Sequence, residues 1–171
     1  TVGEVGMLAM LTTFLIEETG LGPGAAGALA GAASLATMAG SFAAGWALTR
    51  RSGRDAVLVL SGIGLLAAAG LTLPVFLAPA ITHGIPPALL AGAAAIAANA
   101  FVGLYPAAVF TRLPELAPGP VEIASANGVI TQFGAGGALI GPPLAGLVAG
   151  SWGWGAVSPV LAGSFVAAFA L

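Results

Sequence analysis

The stretch IASANGVITQFGAGGALIGPPLAGLVAGSWGWGAVSPVLAGSFVAAFAL, Ile123 to Leu171, contains no Asp, Glu, Lys or Arg, and neither does the stretch from Ala56 to Thr111. Soluble domains carry about 25% charged residues. This chain has 6% charged and 58% hydrophobic residues, with a mean hydropathy of +1.06. A surface of that composition cannot be wetted throughout, so lipid is the solvent the sequence calls for.

Working outward from these stretches, the length sets the number of crossings. A helix needs roughly 20 apolar residues to cross ~30 Å of hydrocarbon, and 171 residues with tight connections leave room for about six spans. The punctuation places them at Thr1–Ile16, Ala25–Thr49, Ala56–Leu77, Ala88–Phe110, Glu122–Ala149 and Ala156–Leu171. Between them lie an acidic and Gly-rich turn from Glu17 to Gly24, a basic loop from Arg50 to Asp55, and a Pro-rich loop from Ala78 to Pro87 with His83. A polar connection from Thr111 to Val121 and a Gly/Trp turn from Gly150 to Gly155 follow. The first span lacks a start Met and the last has no polar stop, so the chain reads as a piece of a longer protein.

All four basic residues are arginines in alternate loops, Arg50, Arg51 and Arg54 in one and Arg112 in another. Lys and Arg near span ends stay cytoplasmic, so loops 50–55 and 111–121 are expected on the cytoplasmic side of the cytoplasmic membrane, with both chain ends there too. Trp46 and the Trp152/Trp154 pair then sit at opposite interfaces.

Several chemistries lack their residues. A net charge of -2 gives no basic surface for nucleic acid. There is no Cys and only one His, which leaves no disulfide framework, no thiolate and no expected metal site. The chain has no Lys and so no phosphate-cradling Gly-x4-Gly-Lys loop. An intramembrane serine protease needs Ser and His at membrane depth, whereas His83 falls in a loop. No enzyme activity and no cofactor are expected.

A shift of 101 residues lays the second span on the fifth, matching Gly27 with Gly128, Gly40 with Gly141, Ala44 with Ala145 and Gly45 with Gly146. Membrane transporters are often built from such repeats. The repeat reading divides a single domain into about 1–77 and 88–171, with the matched spans running in opposite directions.

Polar groups inside lipid are costly and therefore functional candidates. Glu4 lies ~20 Å below the Glu17 boundary at ~1.5 Å per residue, where a carboxylate is a candidate proton carrier; a tilted helix would leave it at the wet interface instead. Asn99, at the middle of the fourth span, either contacts a polar substrate or makes an interhelical bond. Phe101 and Tyr105, four residues apart, share a face and form either a pocket wall or simple packing. Asn127, Thr131 and Gln132 form the densest polar cluster in the membrane portion and are the leading candidates to line a transport path. Gly27-x3-Gly31 and Gly137-x3-Gly141 allow close helix approach, and Pro74, Pro106, Pro142, Pro143 and Pro159 bend their spans. Polar content alone predicts a groove built from the first, second, fourth and fifth spans, with the third and sixth peripheral.

Three local patterns resemble the major facilitator superfamily, whose twelve-helix transporters consist of two six-helix halves. Gly45-Trp46-Ala47-Leu48-Thr49-Arg50-Arg51-Ser52-Gly53-Arg54 is similar to the family's cytoplasmic loop between the second and third helices of a half, with one extra residue and without the Asp that locks the helices. Asp55 follows it at the head of the third span. Gly128, Gly137, Gly141, Pro142 and Gly146 match the spacing of the family's antiporter motif, with Ala145 in place of one glycine, and Pro143 follows in the same turn. Asn127-Gly128 through Gln132 to Pro143 also resembles the eleventh helix of many members. The antiporter motif usually sits on helix five, while the missing Asp and the lack of an Arg and Gln-Gly opening the fourth span point to the second half, helices seven to twelve. The resemblance implies an all-α polytopic membrane protein with two inverted three-helix repeats. It implies a secondary transporter moving a small solute by alternating access, with a proton as coupling ion, in contact with membrane lipids and with the other six-helix half. The alternative from another class is a non-transporting six-helix scaffold or assembly subunit.

Overall fold

The computed structural model describes residues 1–50, 54–117 and 119–170, and all regular structure among them is helical. The elements are α1 (Val2–Thr19), α2 (Pro23–Arg50), α3 (Arg54–Ile81), α4 (Pro87–Val102), α5 (Leu104–Leu116), α6 (Pro120–Trp152) and α7 (Trp154–Ala170).

Most helices outrun the spans read from polarity. α1 runs through Glu17 and Glu18 to Thr19 and stops at Gly20, whose φ of 68° is a left-handed cap that glycine adopts without strain. α3 continues past Leu77 to Ile81, and α5 carries helix through Thr111–Leu116, a stretch the polar reading gave to a loop. α6 and α7 are separated only by Gly153, at φ 80°. The physical reason is common to all of them: polar residues mark where a helix leaves lipid, whereas hydrogen bonding ends only where capping or backbone geometry ends it.

The fourth span departs in another way: its hydrogen-bond ladder is interrupted at Gly103, although the backbone there stays helical at φ -59° and ψ -22°. Pro106 has no N–H for the carbonyl of Val102, so the ladder fails one turn upstream of the proline. The Gly103 N–H closes α4 by bonding the Asn99 carbonyl at 3.1 Å. Four helical stretches are long and apolar enough to cross a membrane: α2, α3, α4 with α5, and α6. α1 has 18 residues but carries three glutamates, and α7 has 17 residues.

Close glycine or hydroxyl contacts mark three helix pairs, and α3 also packs extensively on α4, with Gly64 against the Phe101 carbonyl. α1 runs parallel to α6, with Gly6 and Gly141 back to back: a Cβ on Gly141 would stand 2.5 Å from the Val2 carbonyl oxygen and 3.1 Å from the Gly6 nitrogen. α2 runs parallel to α4 and α5, with Leu29 beside Gly92, Gly40 against the Ala100 carbonyl and Gly103 against the Thr37 carbonyl. α3 lies antiparallel to α7, where the Ser158 hydroxyl donates to the carbonyls of Thr72 at 3.2 Å and Leu73 at 2.8 Å. Without hydrophobic drive inside lipid, such close backbone contact is what holds membrane helices together.

The main core is one-sided. It joins Met7, Leu11, Phe14 and Leu15 of α1 to Ala26 and Ala33 of α2, to Val75, Phe76 and Ala78 of α3, and to Ala91–Ala98 of α4, with Ala145 and Val148 of α6 and Val157 and Leu161 of α7 completing it. All of these lie toward the end that carries Trp152 and Trp154, opposite the end that carries Arg50 and Arg112. There Phe14 meets Phe76 edge-on at 5.1 Å and Trp154 at 5.4 Å, while Phe76 and Trp154 stack at 5.9 Å. Each such pair contributes ~0.5–1.5 kcal/mol beyond its buried area. A smaller cluster of Leu65, Ala68, Ala69, Val102, Ala162 and Phe165 joins α3, α4 and α7. The third and sixth spans are therefore not bystanders: α3 and α7 pack on each other and supply residues to both clusters.

Candidate functional site

The polar side chains singled out in the sequence separate into a buried group and an uncovered group. Asn99 is fully buried. Its Nδ2 donates to the Ala95 carbonyl at 2.8 Å, and its Oδ1 accepts from the Thr37 hydroxyl of α2 at 3.2 Å. One turn further, the Ser41 hydroxyl donates to the Gly103 carbonyl at 2.9 Å. Asn99 thus makes the interhelical bond that was the alternative to substrate contact. Thr37 and Ser41 did not stand out in the sequence; their signal was the i, i+4 spacing that puts two hydroxyls on one face of α2.

The uncovered group lies mainly on the first half of α6. Asn127, Thr131 and Gln132 are all exposed, and the Thr131 hydroxyl donates to the Asn127 carbonyl at 2.8 Å. Asn127 lines an open cleft of ≈ 420 Å³ between α5 and α6, with Phe110, Leu113 and Pro114 on one side and Pro120, Ile123 and Ala124 on the other. Gln132, five residues on, projects roughly 140° away around the helix, so the cleft gathers Asn127 but not the whole cluster. Within α5 Arg112 pairs with Glu115, so this polar stretch is helix rather than the loop expected from polarity. Phe110 was missed by the sequence reading because an aromatic residue near the end of an apolar span carries no distinguishing pattern.

The remaining candidates are spread over the bundle. Phe101 is half-buried against the smaller cluster and lines a shallow groove with Gly40 and Ala43, whereas Tyr105, beyond the break, is 41% exposed. Glu4 sits in the first turn of α1, partly exposed, with no hydrogen bond or ion pair among the described residues. Its neighbour Gly3 abuts Ser164 and Phe165 of α7.

Of the motif glycines, a Cβ on Gly137 would stand 3.2–3.3 Å from Thr1 and Val2 and one on Gly146 3.9 Å from the Met10 sulfur, while Gly27, Gly31, Gly45 and Gly128 meet open space. Pro142 and Pro143 are both carried inside α6, one partly buried and one exposed. In the basic loop, the Arg50 guanidinium lies 3.6 Å over the Trp46 ring, a cation–π arrangement, and Asp55 is exposed in the first turn of α3. Arg51 and Gly53 lie outside the described residues, and Arg54 begins the α3 backbone.

No group of His, Cys, Asp or Glu among the described residues is arranged to hold a metal ion. What the described residues offer is a bundle of apolar helices with neutral polar side chains on an uncovered face. Comparison with curated proteins and with solved structures gave no match. The family model described as Major Facilitator Superfamily matches residues 2–171, essentially the whole of this half-size chain. The chain is a multi-pass membrane protein belonging to the Major Facilitator Superfamily of transporters.

Proposed function

We propose that the chain is one six-helix half, corresponding to helices seven to twelve, of a secondary transporter that moves a small solute across the cytoplasmic membrane by alternating access, coupled to protons. The observation that carries this reading is the uncovered trio Asn127, Thr131 and Gln132 on α6. Amides facing hydrocarbon are costly, so polar groups retained there serve a wet path.

The packing supports two inverted repeats, about 1–77 and 88–171. α1 with α6 and α2 with α4 are parallel pairs of opposite direction, as an exchange of first and second helices between repeats requires. Gly40 and Gly141, matched by the 101-residue shift, each lie at a close backbone approach within their pairs. Ala44 and Ala145, matched by the same shift, are both fully buried. Leu73-Pro74 of α3 faces Ser158-Pro159 of α7 at the crossing of the third pair. Glu4 is the membrane-embedded carboxylate available to carry the proton, and loops 50–55 and 111–121 are assigned to the cytoplasm.

The test uses the absence of native cysteine. Asn127→Cys, Thr131→Cys and Gln132→Cys, introduced singly, react with a membrane-impermeant thiosulfonate if they line a wet path. Reaction only with a lipid-soluble maleimide overturns the reading.

A further inference from the structure

We propose that the shallow groove between α2 and the α4–α5 junction holds one anionic phospholipid, with its phosphate on Arg50 and an acyl chain lying along Ala39, Ala43 and Phe101. This site is separate from the cleft between α5 and α6, and its occupation does not depend on transport.

The groove begins at the α2–α4 seam. Gly40 lies so close to the Ala100 carbonyl that a Cβ there has no room, and this contact closes the floor. Beside it the α2 side chains are only methyls: Ala39 and Ala43 leave a slot of ≈ 310 Å³, with Ala100, Phe101 and Leu104 as its other bank. Gly64 of α3 backs onto the Phe101 carbonyl and the Leu104 Cβ, which holds that bank in place. No side chain lining the slot is polar, and Ala39 and Ala43 are both exposed. A slot without hydrogen-bonding side chains suits a hydrocarbon chain, which gains from close contact alone.

The spacing along α2 joins this slot to a cation. Ala39, Ala43, Trp46 and Arg50 follow one another at intervals of four, three and four residues, which places all four on one face of the helix. Arg50 stands about 10 Å beyond Ala43 along the axis at ~1.5 Å per residue, a span that a glycerol backbone and the first carbons of its chain can fill. The Arg50 guanidinium lies over the Trp46 ring, 3.6 Å from its centroid. Stacking occupies the face of a guanidinium and leaves the N–H donors at its edge for a phosphate. Arg50 has no carboxylate partner among the described residues, whereas Arg112 is paired with Glu115. Arg51 and Arg54 follow in the sequence, with Asp55 as the one acid in that loop, so the charge at this end of the groove favours a headgroup of net negative charge over a zwitterionic one. Trp46 is of the residue type that settles at the headgroup level.

The experiment is native mass spectrometry of the full chain purified from membranes of equal phosphatidylglycerol and phosphatidylcholine. The expected result is one retained lipid, with phosphatidylglycerol favoured by about fivefold, as one arginine at an anionic headgroup supplies. Arg50→Gln brings that ratio close to one. Ala39→Leu with Ala43→Leu, at two exposed positions, fills the slot and releases the lipid although Arg50 is still present. Ala9→Leu, at an exposed position of α1, is the control and keeps the lipid. A second measurement leaves the groove unaltered. With Trp152→Phe and Trp154→Phe, Trp46 is the one tryptophan left, and in phosphatidylcholine nanodiscs chain-brominated phosphatidylglycerol should quench it at a lower mole fraction than brominated phosphatidylcholine does. Equal lipid ratios for the native chain and Arg50→Gln, a lipid still retained when the slot is filled, or equal quenching by the two lipids overturns the proposal. So does a lipid-free chain that pairs with a second copy and becomes monomeric on filling the slot.

Discussion

Gly40→Ala is the sharpest test of the close α2–α4 seam. The added methyl would meet the Ala100 carbonyl carbon at 2.9 Å and its oxygen closer still, whereas carbon atoms in ordinary contact sit roughly 3.5 Å apart or more. The helices must therefore separate locally, and the Thr37–Asn99 bond, at 3.2 Å, has no slack before it leaves hydrogen-bonding range. Overpacking costs about 1–3 kcal/mol, and two weakened interhelical bonds add ~0.6 kcal/mol each. The better helix propensity of alanine returns ~0.8–1 kcal/mol. The net expectation is a destabilisation of roughly 1–3 kcal/mol. Gly31→Ala on the same helix is the control: its Cβ meets nothing within 4 Å, so it should match or slightly exceed the native stability. Equilibrium unfolding in mixed micelles by SDS titration, followed by tryptophan fluorescence, reads both. If Gly40→Ala unfolds at the native midpoint, or Gly31→Ala loses as much as Gly40→Ala, the argument from backbone proximity is wrong.

Three further outcomes are expected. Trp154→Ala, losing its contacts with two rings, should cost about 1–3 kcal/mol in the same titration, while Trp152→Ala, at a residue 71% exposed, should leave the midpoint nearly unchanged; equal effects would count against the cluster of Phe14, Phe76 and Trp154. Pro106→Ala restores a donor for the Val102 carbonyl, so amide exchange across residues 103–107 should slow as α4 and α5 join, and unchanged exchange would show that the break has another cause. Replacing Arg50, Arg51 and Arg54 with Gln should reduce correct insertion, measured by protease protection of the loop, because each arginine near an anionic headgroup layer contributes roughly 1 kcal/mol; normal topology with a large rise in a substrate half-saturation constant would place them at the binding site instead.

The missing charge determined by itself that this is a membrane-embedded helical chain, because a backbone in lipid must satisfy its own hydrogen bonds and solvent preference is a property of composition. Glycine and proline spacing carried the family resemblance for the same reason: backbone permissions are written locally, and Pro106 names the carbonyl it abandons four residues upstream. Helix ends were legible only to within a few residues, since Glu17, Glu18 and Thr111–Leu116 are polar yet helical. Partners were not legible. Gly31 and Gly40 look alike in sequence, but one faces open space and the other a carbonyl on α4. Asn99 and Asn127 are both amides in apolar helices, yet Thr37 from 62 residues away satisfies the first, while the second lines a cleft. Which helix lies beside which, and so whether a polar group is consumed by packing or left for a solute, depends on contacts distant along the chain, and only the tertiary structure decides it.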